Sequence, residues 1–269
     1  MLSKEKIIKK NNEGKFICVG LDTDIDKIPS FLLKEKNPIL TFNKAIIEAT
    51  KNFVAAYKIN FAFYERNGIK GIEDLEQTIE LIPDDILSIA DTKRGDIGNT
   101  SQMYASSVFD HFGFDAVTLH PYMGQDSVNP FLDYSEKLNF ILVLTSNPGA
   151  LDFEKLKLNN GQYLYQNVLA NVNKWNEKNN CGIVFGATKI EELKENIKDF
   201  KNLTVLLPGV GAQGGSLEEV VSLFKANDRK DYLVNVSRGI LYKNSGENFA
   251  QSAQDEIKNL NNIVKKIIN

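Results

Sequence analysis

Six consecutive residues, Asp91-Thr92-Lys93-Arg94-Gly95-Asp96, hold two carboxylates and two cations. On an extended segment side chains two apart share a face, so Asp91 and Lys93 point the same way. Lys58 and Asn60, in VAAYKIN, share a face in the same manner. A single Asp–Lys pair reads as an ion pair capping a strand end. Alternating Lys58, Asp91, Lys93 and Asp96 around one mouth reads differently, because burying four charges together is costly and is kept where function requires it. Flanking carboxylates keep such lysines protonated, which argues against a neutral amine nucleophile.

A second group suits an anion. PGVGAQGG (208–215) and SRGI (237–240) follow two late apolar runs. Gly209, Gly211, Gly214 and Gly215 let the backbone approach a ligand closely and turn its N–H groups inward. Gln213 adds a neutral donor, Arg238 a planar fork matched to a phosphate dianion, and Gly239 an N–H where a helix could begin. The plainer reading is a glycine turn beside a surface arginine. The net charge is −3, so an anion must be met by such a local cluster, and nothing global favours nucleic acid or an anionic membrane.

Residue counts exclude other chemistries. Two histidines, His111 and His120, exclude a multi-histidine metal site and argue against a histidine-based triad. Cys18 and Cys181 form neither a disulfide framework nor a zinc cluster and read as small core residues. His120, before Pro121, reads either as a structural hydrogen bond or as a functional contact. The opening MLSKEKIIKKNNEGK lacks an apolar core of signal-peptide length, and no run of about 18 apolar residues occurs, so a cytoplasmic enzyme is expected.

These residues need a frame. Short apolar runs rich in β-branched residues recur at 16–21, 54–60, 86–92, 115–120, 139–146, 182–187, 203–209 and 232–237. Helical spacing fills the gaps, as in Phe42, Ala45, Ile46, Ala49 and Phe53, or in Tyr104, Ala105, Val108 and Phe112. The same spacing returns from Tyr165 to Val172, Ile190 to Ile197, Leu217 to Phe224 and Ile257 to Ile267. Strands alternating with helices imply right-handed βαβ units and a parallel sheet buried on both faces. Eight units predict a single (β/α)8 barrel, the TIM architecture, over residues 1–269, with an N-terminal and a C-terminal helix covering it. Function in such a barrel gathers at the C-terminal strand ends. Those ends carry Asp22, Lys58, Asn60, Asp91, Lys93, His120, Thr145, Ser146, Pro208 and Arg238, while the sixth, GAT, is uninformative. The Lys-rich first decapeptide reads as a solvated helix and Trp175 as helix core. The polar stretch 147–162 reads as a mobile loop over the site or as a tolerated surface insertion.

The stretch SIADTKRGDIGNT resembles the D-x-K-x-x-D-I-x-x-T signature of the orotidine 5′-monophosphate decarboxylases. GLD, the lysine of YKIN, LTS, PGVGAQGG and SRGI follow in the family's order, over roughly residues 16–245, and the TSNPG turn resembles its type 2 subfamily. The resemblance implies loss of carbon dioxide from orotidine 5′-monophosphate to give uridine 5′-monophosphate (UMP), the last step of de novo UMP biosynthesis, without metal or cofactor. It implies Lys58, Asp91, Lys93 and Asp96 as the catalytic array, with Lys93 giving a proton to ring carbon 6. It further implies a homodimer in which Asp96 and Thr100 reach the partner's site. Asp22 would bind a ribose hydroxyl and Ser146 the pyrimidine amide edge. Gln213, Arg238 and the Gly239 N–H would hold phosphate, beside Pro208. Asn60 is added from the face it shares with Lys58. One branch of the family carries a tyrosine shortly after the phosphate-binding glutamine; Gly215 stands near there, so no tyrosine contact is implied.

Three rival readings stand beside this one. A magnesium-dependent sugar-phosphate decarboxylase or hexulose-phosphate synthase of the same superfamily is expected to carry a glutamate where Lys58 stands. A lysine Schiff-base aldolase needs a lysine of depressed pKa. A non-catalytic nucleotide-phosphate barrel leaves the alternating charges unexplained.

Overall fold

The computed structural model describes residues 1–211 and 214–269. Among these, eight parallel strands close into a barrel in sequence order: β1 (Ile17–Gly20), β2 (Ala56–Asn60), β3 (Leu87–Arg94), β4 (Ala116–Leu119), β5 (Leu138–Leu144), β6 (Cys181–Phe185), β7 (Thr204–Pro208) and β8 (Tyr232–Val236). β8 closes the ring by pairing with β1, Cys18 standing opposite Asn235. The helices, in order, are α1 (Ser3–Asn12), α2 (Pro38–Thr50), α3 (Phe61–Glu65), α4 (Gly68–Glu80), α5 (Gly98–Ser106), α6 (Gln125–Leu132), α7 (Leu164–Trp175), α8 (Ile190–Asn196), α9 (Leu217–Ala226), α10 (Arg238–Leu241) and α11 (Phe249–Ile268). Among the described residues no helix is long and apolar enough to cross a membrane.

The strand period of two divides the apolar residues into two cores. Outward residues such as Val19, Tyr57, Ile141 and Val234 pack against the helices. Inward residues fill the barrel: Cys18, Ala56, Leu87, Ile89, Ala116, Leu138, Phe140, Val184, Leu206 and Leu233. Both cysteines are buried and free, as read from the strands. One period further along the inward face of β2, β3, β4 and β8, the apolar layer gives way to Lys58, Asp91, Thr118 and Asn235. The site is therefore the top polar layer of a barrel whose lower layers are apolar.

Helix α1 corrects the sequence reading of a solvated segment. Its Ile7 is buried and joins the inward core, closing the barrel at the end opposite the charged layer. Lys6 is buried against Asp115 at 2.7 Å, and Lys10 against Asp85 at 2.6 Å. The lysines lay their apolar stems along the barrel base and bring their ammonium groups to carboxylates far along the chain. Ile7→Ala is expected to destabilise the protein by about 2–5 kcal/mol, read as a lower urea midpoint at unchanged slope.

Helices α4 and α6 were not anticipated. Gly68 and Gly71 weaken the helical signal of the first, and Pro130 interrupts the second. After α5 the chain widens into a π-turn over Ser107–His111. That turn shifts the buried face to Val108 and Phe109 and leaves Phe112 only partly covered. Trp175, at the end of α7, is partly buried against the outer core.

Candidate active site

Strands β1, β2 and β3 bring three of the read charges together and β3 adds a fourth. Lys58 Nζ lies 2.7 Å from Asp91 Oδ2 and 3.6 Å from Asp22 Oδ1. Lys93 Nζ bonds the other Asp91 oxygen. The order Asp22–Lys58–Asp91–Lys93 alternates in sign, so every interior charge has opposite charges on both sides. Lys58 and Asp91 are 5% and 7% exposed, which places the pair out of bulk water. Burial works to lower the Lys58 pKa, but Asp91 and Asp22 outweigh it and hold the ammonium above the ordinary lysine range. Burial likewise works to protonate Asp91, but Lys58 and Lys93 outweigh it and hold the carboxyl well below the usual range.

The pair therefore stays ionised from acid to alkaline pH. Asp91 contributes stability that is present above the unfolded carboxylate value of about 3.9 and lost only as pH falls through its lower folded value. Lys58 contributes stability present below about 10.4 and lost only as pH rises through its higher folded value. Urea unfolding at pH 5, 7 and 9 is expected to give the same stability difference between the wild type and a Lys58→Met/Asp91→Leu variant. A difference that changes across this window would contradict the assignment.

β3 does not run straight through its chemistry. Its pairing to β4 slips between Ala90 and Arg94, and Lys93 takes φ 47°, the left-handed region. A non-glycine residue there costs about 1–3 kcal/mol and persists only when its surroundings enforce it. The β4 hydroxyl of Thr118 bridges the bulge: it accepts from the Lys93 N–H at 3.1 Å and donates to Asp91 Oδ1 at 2.9 Å. The expectation that Asp91 and Lys93 meet is met across a bulge rather than along a regular strand.

A cavity of about 540 Å³ opens over this array. Its polar lining includes Asn60, Ser146 and Asn235, and its apolar lining Leu142, Val184, Leu206 and Pro208. Asn60 also caps α3, its Oδ1 accepting from the Ala62 N–H at 3.2 Å. Ser146 donates weakly to the Pro208 carbonyl at 3.4 Å. Gly186, in the GAT stretch read as uninformative, leaves the room Ser146 occupies: a Cβ there would lie 2.6 Å from its Oγ. A second cavity, of about 330 Å³, shares Asp22, Pro208 and Asn235 with the first and ends at Arg238, Gly239 and Lys27. Tyr242 ties the two ends, its hydroxyl donating to the Asp22 carbonyl at 3.0 Å and accepting from the Asp24 N–H at 2.8 Å.

The structure leaves two read residues away from the array. Asp96 turns its Oδ1 to the Ile97 N–H at 2.8 Å, and Thr100 is exposed at the start of α5; neither lines either cavity. Gln213 lies outside the described residues. His120 is exposed beside β4, its ring accepting only a long 3.4 Å contact from the Tyr122 N–H. The 147–162 stretch is fastened at its root, Glu154 accepting from the Thr145 N–H at 2.7 Å, and its Asn147 and Pro148 wall the cavity. Thr118, Asn235 and Lys27 escaped the sequence reading. The lone amide in YLVNV was the visible signal for Asn235, since strand alternation points it to the barrel mouth.

A closed parallel barrel with buried charge at its C-terminal rim is the architecture of a barrel enzyme. Comparison with known proteins narrows the class. Residues 15–253 match the family described as Orotidine 5'-phosphate decarboxylase / HUMPS family, and the chain belongs to it. A protein of Christiangramia forsetii named orotidine 5'-phosphate decarboxylase is 49% identical over 252 residues, 93% of this chain and 91% of that one. One of Phocaeicola vulgatus with the same name is 47% identical and covers 99% of both chains. The solved structure of Leishmania donovani OMP decarboxylase superposes with a TM-score of 0.83 at 32% identity, covering 98% of this chain and 99% of that one. The chain is thus an enzyme, a decarboxylase of the lyase class.

Proposed function

We propose that the protein decarboxylates orotidine 5′-monophosphate to UMP and carbon dioxide, the last step of UMP biosynthesis, in the cytoplasm and without metal or cofactor. The observation that carries this reading is the alternating Asp22–Lys58–Asp91–Lys93 array, built on the buried Lys58–Asp91 pair, under a cavity that adjoins the one lined by Arg238. The reaction breaks the bond from ring carbon 6 to the carboxylate, and the electron pair stays on carbon 6. Lys93 Nζ donates a proton to that carbon and later regains one from solvent. The fixed ammonium also stabilises the developing carbanion. Asp91 holds both lysines charged and aimed. Asp22 binds a ribose hydroxyl, with Asn60 beside it, and Ser146 reads the pyrimidine amide edge over Pro208. Gln213, Arg238 and the Gly239 N–H hold the phosphate, whose binding energy helps close the site around the reacting carbon.

The active unit in this reading is a homodimer, with Asp96 and Thr100 entering the partner's site. Their absence from the lining of the cavities in their own barrel supports it, as do Ile97 and Met103, apolar side chains more than half exposed near them in the chain. Lys93→Ala and Asp96→Ala homodimers are each expected to be inactive. Mixing and re-forming the two should recover about a quarter of wild-type activity, because each mixed dimer collects both defects in one site and leaves the other whole. Failure of the mixture to recover any activity would contradict the shared site. Decarboxylation itself is tested by product analysis, with UMP expected from orotidine 5′-monophosphate and no product expected from a hexulose phosphate.

A further inference from the structure

Thr118 is a buried side chain that touches both the backbone and the charge of the array. Its hydroxyl has one proton and two lone pairs, and the geometry assigns both kinds. The proton goes to Asp91 Oδ1 at 2.9 Å, and a lone pair takes the Lys93 N–H at 3.1 Å. Asp91 Oδ1 is also the oxygen that holds the Lys93 ammonium. One hydroxyl therefore closes a ring through the Lys93 main chain, the Lys93 side chain and the Asp91 carboxylate. The Thr92 hydroxyl adds a contact to the Thr118 carbonyl at 3.3 Å, so β4 grips the bulge on both sides of the same residue. Thr118 itself is 2% exposed on a strand held between β3 and β5, which fixes its rotamer.

We propose that Thr118 is a positioning residue for the decarboxylation, holding Lys93 in its left-handed conformation and Asp91 in the orientation that aims the Lys93 ammonium into the cavity. This rests on Lys93 being the proton donor. In a regular strand the Lys93 side chain would follow the inward alternation of Ile89 and Asp91. The bulge instead re-aims it, and the Thr118 hydroxyl supplies the partner the ladder loses there. A proton donor displaced by an ångström loses far more in the transition state than in substrate binding, because the substrate's phosphate and ribose contacts lie elsewhere.

The test is a pair of variants assayed with orotidine 5′-monophosphate. Thr118→Val keeps the shape and removes the hydroxyl; it is expected to lower kcat about 10–100-fold with KM within about threefold of wild type. Thr118→Ser keeps the hydroxyl and is expected to retain kcat within about threefold. A valine variant of unchanged kcat, a serine variant as slow as the valine one, or a KM that rises in parallel would each overturn the proposal. A crystal structure of Thr118→Val decides the same point without substrate. Lys93 should leave positive φ, and a Lys93 still at positive φ with its ammonium on Asp91 overturns the proposal. Inactivity of the wild type toward orotidine 5′-monophosphate would strike the functional reading alone, and the Lys93 backbone in that crystal structure would still decide the role of Thr118.

Discussion

Replacing Lys93 by alanine is expected to lower kcat by about 10³–10⁴-fold while KM changes only a few-fold. The size follows from the double use proposed for one ammonium, as proton donor and as a fixed charge beside the developing carbanion. The asymmetry between kcat and KM follows from geometry. Arg238 and Gly239 line the adjoining cavity and Ser146 lines the one over the array, so the phosphate and pyrimidine contacts proposed for them do not depend on Lys93. The fold also survives. The Lys93 side chain is 49% exposed, and Asp91 keeps its bonds to Lys58 and Thr118 without it. The Tm of the variant should therefore lie within a few degrees of wild type, which separates lost chemistry from lost structure. A variant that kept a tenth of wild-type turnover would require another proton donor.

The second large effect is expected at Asp91. Asp91→Ala removes the only carboxylate within hydrogen-bond distance of Lys58 among the described residues and leaves Asp22 at 3.6 Å as its nearest counter-charge. Breaking a buried pair from one side typically costs about 3–5 kcal/mol, because the survivor keeps its desolvation without its partner. Turnover should fall with it, since Lys93 loses the group that aims it. The double variant Lys58→Met/Asp91→Leu separates stability from function. Removing both charges together is expected to restore most of the stability, and can even exceed wild type, while activity stays lost.

The strands were legible because a parallel barrel writes them as continuous β-branched runs, and their ends coincide with the structure to within two residues. Lys58 and Asp91 were legible because charges in such runs have few inexpensive reasons to exist. The bulge at Lys93 was not, since nothing in DTKRGD distinguishes a regular strand from one that slips against β4. Thr118 looked like another β-branched strand residue, and only the position of Asp91 across the ladder gives its hydroxyl a task. Helix α1 was misread for a related reason. Lys6 and Lys10 look solvated until Asp115 and Asp85, far along the chain, come to meet them. Asp96 sits in the densest charged motif, yet local spacing could not reveal that the chain turns it away after Gly95.

In the proposed reaction, lysine and aspartate at the barrel mouth decarboxylate orotidine 5′-monophosphate without help from a metal. The most direct measurement follows the absorbance of that substrate with purified protein in excess chelator. Full loss of the substrate signal, stoichiometric UMP and an unchanged rate when magnesium is restored are expected. No turnover, or turnover that appears only on adding a divalent cation, would contradict it.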